Sequence, residues 1–96
     1  MAFGQTVKNV QALAEQNKVT ITYDLVGSGN GEKFDIELRS SIDGFNAPLV
    51  EVSGDVGPDQ VAGIGKTITW LALKEQGKFS GTVSFEVTAI LTFAPL

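Results

Sequence analysis

Residues 18–26 read KVTITYDLV, and this stretch decides the fold class. Apolar and polar side chains alternate along it, and the apolar positions are Val19, Ile21, Tyr23 and Leu25. Successive side chains of a β-strand point to opposite faces, so a period of two predicts a strand with one buried face and one wet face. The β-branched valine, isoleucine and threonine residues favour the same extended conformation.

The same alternation recurs along the chain. It predicts strands at 33–41 (KFDIELRSS), 65–70 (GKTITW) and 81–93 (GTVSFEVTAILTF), with a shorter strand at 48–52. The segment GSGNGE, 27–32, has three glycines in six residues and predicts a hairpin between the strands that flank it. The stretch from Ser53 to Gly65 carries four glycines and a proline, so we expect a loop there.

Two segments have weaker patterns. VKNVQALAEQ, 7–16, fits a bulged edge strand or a short stretch of helix, and we adopt the strand. LALKEQGK, 71–78, fits either a brief helical turn or a connection closed by Gly77, because a glycine adopts positive φ without a steric penalty.

Six or seven short strands in a chain of 96 residues predict an all-β fold, a two-sheet antiparallel β-sandwich. Each strand has one apolar face, and without a long amphipathic helix these faces must cover one another. Tyr23 and Trp70 would be large members of the shared core, with Trp70 spanning the two sheets. The full predicted core is Val19, Ile21, Tyr23, Leu25, Phe34, Ile36, Leu38, Ile68, Trp70, Val83, Phe85 and Val87.

Composition limits the possible functions. The chain has no cysteine and no histidine, which removes thiolate nucleophiles, the usual zinc ligands and the commonest general base, so we expect no enzyme and no cofactor. The net charge of −4 provides no basic field for nucleic acid. No run of about twenty apolar residues is present to span a membrane.

The stretch SIDGFNAP, 41–48, is interpreted as a turn. Gly44 would supply the positive φ of a hairpin loop, and the Asp43 carboxylate would accept a hydrogen bond from a backbone N–H further round the turn. Phe45 in this turn and Phe79 before the last strand lie outside the alternating core pattern, so we interpret them as possible partner contacts.

The loop SGDVGPDQ, 53–60, offers two carboxylates, Asp55 and Asp59. Calcium usually needs six or more oxygen ligands, so a solvated loop is the favoured interpretation and a calcium site is the alternative. GSGNGE and GIGK (63–66) are not interpreted as phosphate-binding loops, because neither precedes a helix.

The chain resembles a known family through an ordered set of short motifs: Val7-x-Asn9-Val10-x-Ala12, Val19-x-Ile21-x-Tyr23-Asp24-Leu25, Ser41-x-Asp43-Gly44, Val52-Ser53-Gly54-Asp55-Val56-Gly57 and Gly65-Lys66-x-Ile68-x-Trp70. They are similar to the immunoglobulin-like or fibronectin type III-like β-sandwich at the N-terminus of exported Bacteroidetes proteins, often ahead of a formylglycine-generating-enzyme-like domain. The resemblance implies a module without catalytic residues.

We therefore expect a non-catalytic accessory module that acts as a spacer or docks a protein, either a neighbouring domain of the same chain or another surface protein. The alternative is a module that binds a glycan or a peptide. Residues 6–96 would form one domain. Residues 1–5 look like the remnant of a secretory signal or an added start, which suggests export to the periplasm, the cell surface or the extracellular space.

Overall fold

The computed structural model describes residues 6–27, 29–77 and 82–95. These residues form seven strands, a 3₁₀ turn at Ser41–Asp43 and a short helix, α1, at Ala72–Gln76. The strands are β1 (Thr6–Ala14), β2 (Val19–Val26), β3 (Lys33–Ser40), β4 (Val52–Gly54), β5 (Gly57–Gln60), β6 (Gly63–Trp70) and β7 (Phe85–Phe93). No helix in these ranges has the length and apolar character needed to cross a membrane.

The strands make two antiparallel sheets. One sheet has the order β1-β2-β6-β4, and the other has the order β5-β3-β7. Their apolar faces share a core in which Tyr23 and Trp70 are almost wholly buried. The predicted all-β, two-sheet antiparallel β-sandwich is therefore confirmed.

Ten of the twelve predicted core residues are buried, and the two others lie at the start of the last strand. Phe85 is half-buried and packs against the core, whereas Val83 is half-buried and precedes β7. The partner strand β3 ends at Ser40, directly opposite Phe85. The predicted strand at 81–93 is thus too long at its start, because no ladder is available for Val83 to join.

The predicted hairpin across residues 27–32 is wrong. β2 pairs with β1 and β6, while β3 pairs with β5 and β7, so the chain crosses from one sheet to the other between β2 and β3. Alternation shows that each strand has one apolar face, but it does not name the strand's neighbour. Placing β2 and β3 in opposite sheets lets their two apolar faces cover each other.

The segment 48–65 also differs from the prediction. Residues 48–51 are irregular, and the predicted loop from Ser53 to Gly65 contains most of β4, all of β5 and the start of β6. Gly54 has φ of 96° and lies so close to β6 that a Cβ there would be 2.6 Å from the Thr67 carbonyl oxygen. Clustered glycines usually indicate a loop, but Gly54 and Gly57 belong to β4 and β5, the short strands at the edges of the two sheets.

Of the two weaker patterns, 7–16 forms the predicted strand, and 71–78 takes the helical alternative of the two that its sequence left open. β1 is a strand with a bulge, in which Asn9 and Val10 lie between the pairs Lys8–Asp24 and Gln11–Thr22. α1 is a single short helix, and Gly77 follows it with φ of 72°.

Candidate functional site

The turn at Asp43 is held by its own side chain. The two carboxylate oxygens accept hydrogen bonds from the N–H groups of Asn46 at 3.2 Å and Ala47 at 3.1 Å. Gly44 adopts φ of 69°. The turn connects β3 to β4, which belong to different sheets, so it forms a corner rather than the predicted hairpin.

Phe45 follows Gly44 in a conformation that is rare for a bulky residue. Its φ is 61°, its N–H donates to the Ser40 carbonyl at 2.9 Å, and 38% of its surface is exposed. A non-glycine residue in the left-handed region costs on the order of 1 kcal/mol, and such residues are frequent at functional sites. Phe79, the second predicted contact, lies outside the described residues.

The two carboxylates of the acidic loop lie in different surroundings. The Asp55 carboxylate accepts the Thr67 N–H at 2.8 Å and lies 3.9 Å from the Lys66 ammonium group. Asp59 is exposed on the edge strand β5. Within residues 6–27, 29–77 and 82–95, no three acidic side chains are grouped so that they could hold a metal ion.

Tyr23 is tied to the same loop. Its hydroxyl donates to the Asp55 carbonyl oxygen, and burial, followed by the nearby Asp55 charge, raises the pKa of the phenol above its usual value. The phenol therefore stays protonated and acts as a hydrogen-bond donor inside the fold. It is not available as a base at ordinary pH.

Asp24 was not singled out by sequence reasoning, yet it connects three strands. Its carboxylate accepts the Asn9 side-chain amide at 2.7 Å, in the bulge of β1, and the Gly65 N–H at 2.8 Å, in a bulge of β6. The Asn9 hydrogen bond and then the Gly65 N–H lower the pKa of Asp24, against the opposing effect of desolvation, and the Lys8 charge adds to the lowering. A single aspartate in a strand has no local pattern that would predict these partners.

Glu75 is a second residue that sequence reasoning missed. One of its carboxylate oxygens accepts three hydrogen bonds, each 2.9 Å long, from the N–H groups of Val50 and Glu51 and from the Trp70 indole. A buried tryptophan needs an acceptor for its N–H, and this requirement was the available signal. Glu75 serves the fold by joining α1 to the segment before β4.

β7 forms one edge of the three-stranded sheet, and this edge has no assigned role in the fold. Among the residues that the structure covers, β7 pairs with β3 only, and β1 lies beside β7 without pairing to it. β7 has nine residues, contains no proline or glycine, and carries a single charge, Glu86. Ile90 and Phe93 on this strand are 52% and 55% exposed.

The orientation of the backbone groups of β7 follows from its register. The Ser41 N–H donates to the Ser84 carbonyl at 2.9 Å, one residue before β7 begins. In an antiparallel ladder, hydrogen-bonded pairs alternate with non-hydrogen-bonded pairs. The N–H and C=O groups that point away from β3, toward the free edge, are therefore those of Phe85, Val87, Ala89 and Leu91.

A scan of protein-family models and searches of curated proteins and solved structures found no match to this chain. Its function is therefore inferred from the chemistry of its own surface.

Proposed function

We propose that this chain is a non-catalytic interaction module of an exported or cell-surface protein, and that it docks another polypeptide. The observation that carries the proposal is the unpaired, apolar edge of β7. Unpaired N–H and C=O groups on a long edge strand are a template for another strand, and natural proteins usually blunt such edges with charge or proline. β7 has one charge and no proline in nine residues.

The polar side chains with the most hydrogen bonds or a raised pKa support a non-catalytic role, because they bind other parts of the fold. Tyr23, Asp55 and Glu75 direct their hydrogen bonds to other parts of the fold. Each would have to leave these partners before it could act on a substrate. The resemblance to N-terminal sandwich modules of exported Bacteroidetes proteins agrees with an accessory role, and Phe45 provides a second apolar contact at a corner of the sandwich.

Selection from a displayed library of random nine-residue peptides tests the proposal. Peptides retained by the parent protein should be lost on an Ala89→Pro variant, because proline removes an N–H that faces the free edge and leaves the ladder to β3 in place. Ala89→Ser is the matched control, since it changes the side chain and keeps the N–H. Thermal unfolding should show that both variants are folded.

Two outcomes would contradict the proposal. One is a library that yields no bound peptide, and the other is a set of bound peptides that ignore Ala89→Pro. A glycan array run in parallel addresses the alternative function. Glycans that bind the parent and lose affinity on Phe45→Ser would favour a glycan-binding module.

A further inference from the structure

β1 is exposed on the face that should be covered by the opposite sheet. Ala12 pairs with Ile21 and Ala14 pairs with Val19, and opposite residues of a ladder share a face. Ile21 and Val19 are buried in the core, yet Ala12 and Ala14 are exposed. The second half of β1 is therefore exposed on its core-facing side, and no strand of the opposite sheet covers it within the described residues.

The cause is the path of β7 over the other sheet. β7 lies beside β1, and Val7, Ala89 and Leu91 are partly buried against the core. At the start of β7, the Phe85 ring instead packs edge-on against Trp70 of β6, with ring centroids 5.6 Å apart. β6 is two strands away from β1, so β7 diverges from β1 and leaves an opening over Ala12 and Ala14.

We name this opening the wedge, defined by Ala12 and Ala14 of β1 and by the free edge of β7. It leads into a groove of about 350 Å³ lined by Ala14, Val19, Ala72 and Leu73, among others. Alanine side chains leave space above a sheet that larger apolar side chains of a neighbouring strand would fill.

We infer that the wedge binds one extended segment of a partner polypeptide, which adds to the free edge of β7 as an antiparallel strand and places large apolar side chains over Ala12 and Ala14. This inference rests on the proposed function and specifies its ligand. Backbone hydrogen bonds to the edge provide affinity, and the pockets for alternate side chains provide specificity.

Charge defines the outward face of the segment. Glu86 lies on the outer face of β7, opposite Arg39. The Arg39 guanidinium is 2.9 Å from the Glu37 carboxylate, and Glu86 forms no ion pair with any described residue. A lysine or arginine on the incoming strand would lie across from Glu86, and opposite charges in such a pair are stabilising.

A second copy of this chain fits the wedge less well than a single strand does. The β7 strand of a second copy is backed by its own four-stranded sheet. Pairing two β7 strands around a two-fold axis perpendicular to the sheet would bring that second sheet against β1 of the first copy. The wedge would then have to admit the covering sheet of the second copy as well as its β7 strand, whereas an extended segment of a partner brings only one strand.

The test uses the nine-residue peptide Thr-Leu-Lys-Val-Thr-Val-Lys-Leu-Thr, whose pattern is the same in both directions. Titration followed by amide hydrogen exchange should show new protection of the Val87 and Ala89 N–H groups. N-methylation of the leucine and valine residues should abolish binding. The free-edge backbone groups of β7 belong to core-facing residues such as Val87, and the residues directly opposite them, which share that face, carry the pairing N–H groups. N-methylation of the threonine and lysine residues should leave binding intact.

Two neighbouring substitutions on β1 test the wedge itself. Ala12→Lys should weaken peptide binding about tenfold or more, which corresponds to about 1.4 kcal/mol. Leu13→Lys is the matched control, because Leu13 is 65% exposed and pairs with Thr20 on the outer face. It should change the dissociation constant by about twofold or less. Ala14→Lys repeats the test if Ala12→Lys does not fold.

The outcomes separate the wedge from the proposed function. If the peptide binds Ala12→Lys and Leu13→Lys equally well, the inference that the wedge binds a segment is wrong. Library peptides that still lose binding on Ala89→Pro would continue to support the docking function. Failure of the alternating peptide to bind would also overturn the wedge. If sedimentation shows a concentration-dependent dimer, and the Val87 and Ala89 amides are protected from exchange without peptide, the occupant of the wedge is a second copy of this chain and the inference is wrong.

Discussion

The two long sides of the sandwich close in different ways. On the side of β4 and β5, the chain passes from one sheet to the other through two residues, Asp55 and Val56. Hydrogen bonds from Tyr23 and Thr67 hold Asp55 in place. On the side of β1 and β7, the strands lie next to each other without pairing in the described part of the chain.

The difference shows that a sandwich edge is closed by connectivity and by specific hydrogen bonds rather than by the apolar core alone. The closed side uses a glycine, Gly54, to bring β4 against the Thr67 carbonyl. On the open side, no strand among residues 6–27, 29–77 and 82–95 pairs with the outer edge of β7. An added strand is therefore expected on the open side, and substitutions should affect stability mainly on the closed side.

The largest effect is expected at Gly54. Gly54→Ala should lower the free energy of unfolding by about 3 kcal/mol, because it adds backbone strain at positive φ and a clash with the backbone carbonyl of Thr67 in β6. Gly44→Ala is the matched control, since Gly44 also has positive φ but no atom within 4 Å of an added Cβ. It should cost about 1 kcal/mol in urea unfolding. Equal costs would mean that the close approach at Gly54 does not matter.

Next in size is the hydrogen bond from Tyr23. Tyr23→Phe should lower the free energy of unfolding by about 1 to 2 kcal/mol, because the partly buried Asp55 carbonyl loses its donor. The raised pKa of Tyr23 also predicts a pH dependence. The unfolded chain releases this proton above about pH 10 while the folded chain keeps it, so stability is complete below that pH and falls above it.

Chemical unfolding of both proteins between neutral and alkaline pH measures this effect. The parent should lose stability above about pH 10, and Tyr23→Phe should lack that part of the loss. Parallel curves for the two proteins would show that the phenol is not the group responsible.

A smaller effect is expected from Asp24, which attaches β1 to β2 and β6. Its folded-state pKa is lowered, so its contribution is present above the ordinary value near 4 and is lost as the pH falls through the folded-state value. The protection factors of the β1 amides, which correct for the slower intrinsic exchange in acid, should therefore fall at a higher pH than those of the rest of the sheet. An NMR titration that finds an ordinary pKa for Asp24 would contradict this attachment.

The smallest effect is expected on the open side. Ala12→Lys should change the free energy of unfolding by less than about 0.5 kcal/mol, although Ala12 faces the core side of its sheet, because its side chain is exposed. Thermal unfolding of this variant beside Leu13→Lys measures the difference. A loss of several kcal/mol for Ala12→Lys alone would mean that β1 is covered and that both sides of the sandwich are closed.

The roles of some polar side chains could be predicted from local sequence, and the roles of others could not. The corner at Asp43 and Gly44 depends on hydrogen bonds within a few residues, so its chemistry is visible in SIDGFNAP. The partners of Glu75 lie 5 to 25 residues away, and those of Asp24 lie 15 and 41 residues away. Apart from the step of five residues between Trp70 and Glu75, these contacts join residues too far apart for one local pattern. The links that Asp24 and Glu75 make to distant segments could therefore not be inferred from local sequence.

By itself, the sequence determined which residues form most strands and which faces of those strands are buried. This is possible because the alternation of apolar and polar side chains is a local property of an extended chain, and it does not depend on which strand lies alongside. Only the tertiary structure decided which strands pair, that β2 and β3 belong to different sheets, and that β7 has a free edge. Those choices depend on covering all apolar faces at once with connections of the available length, and this requirement involves the whole chain.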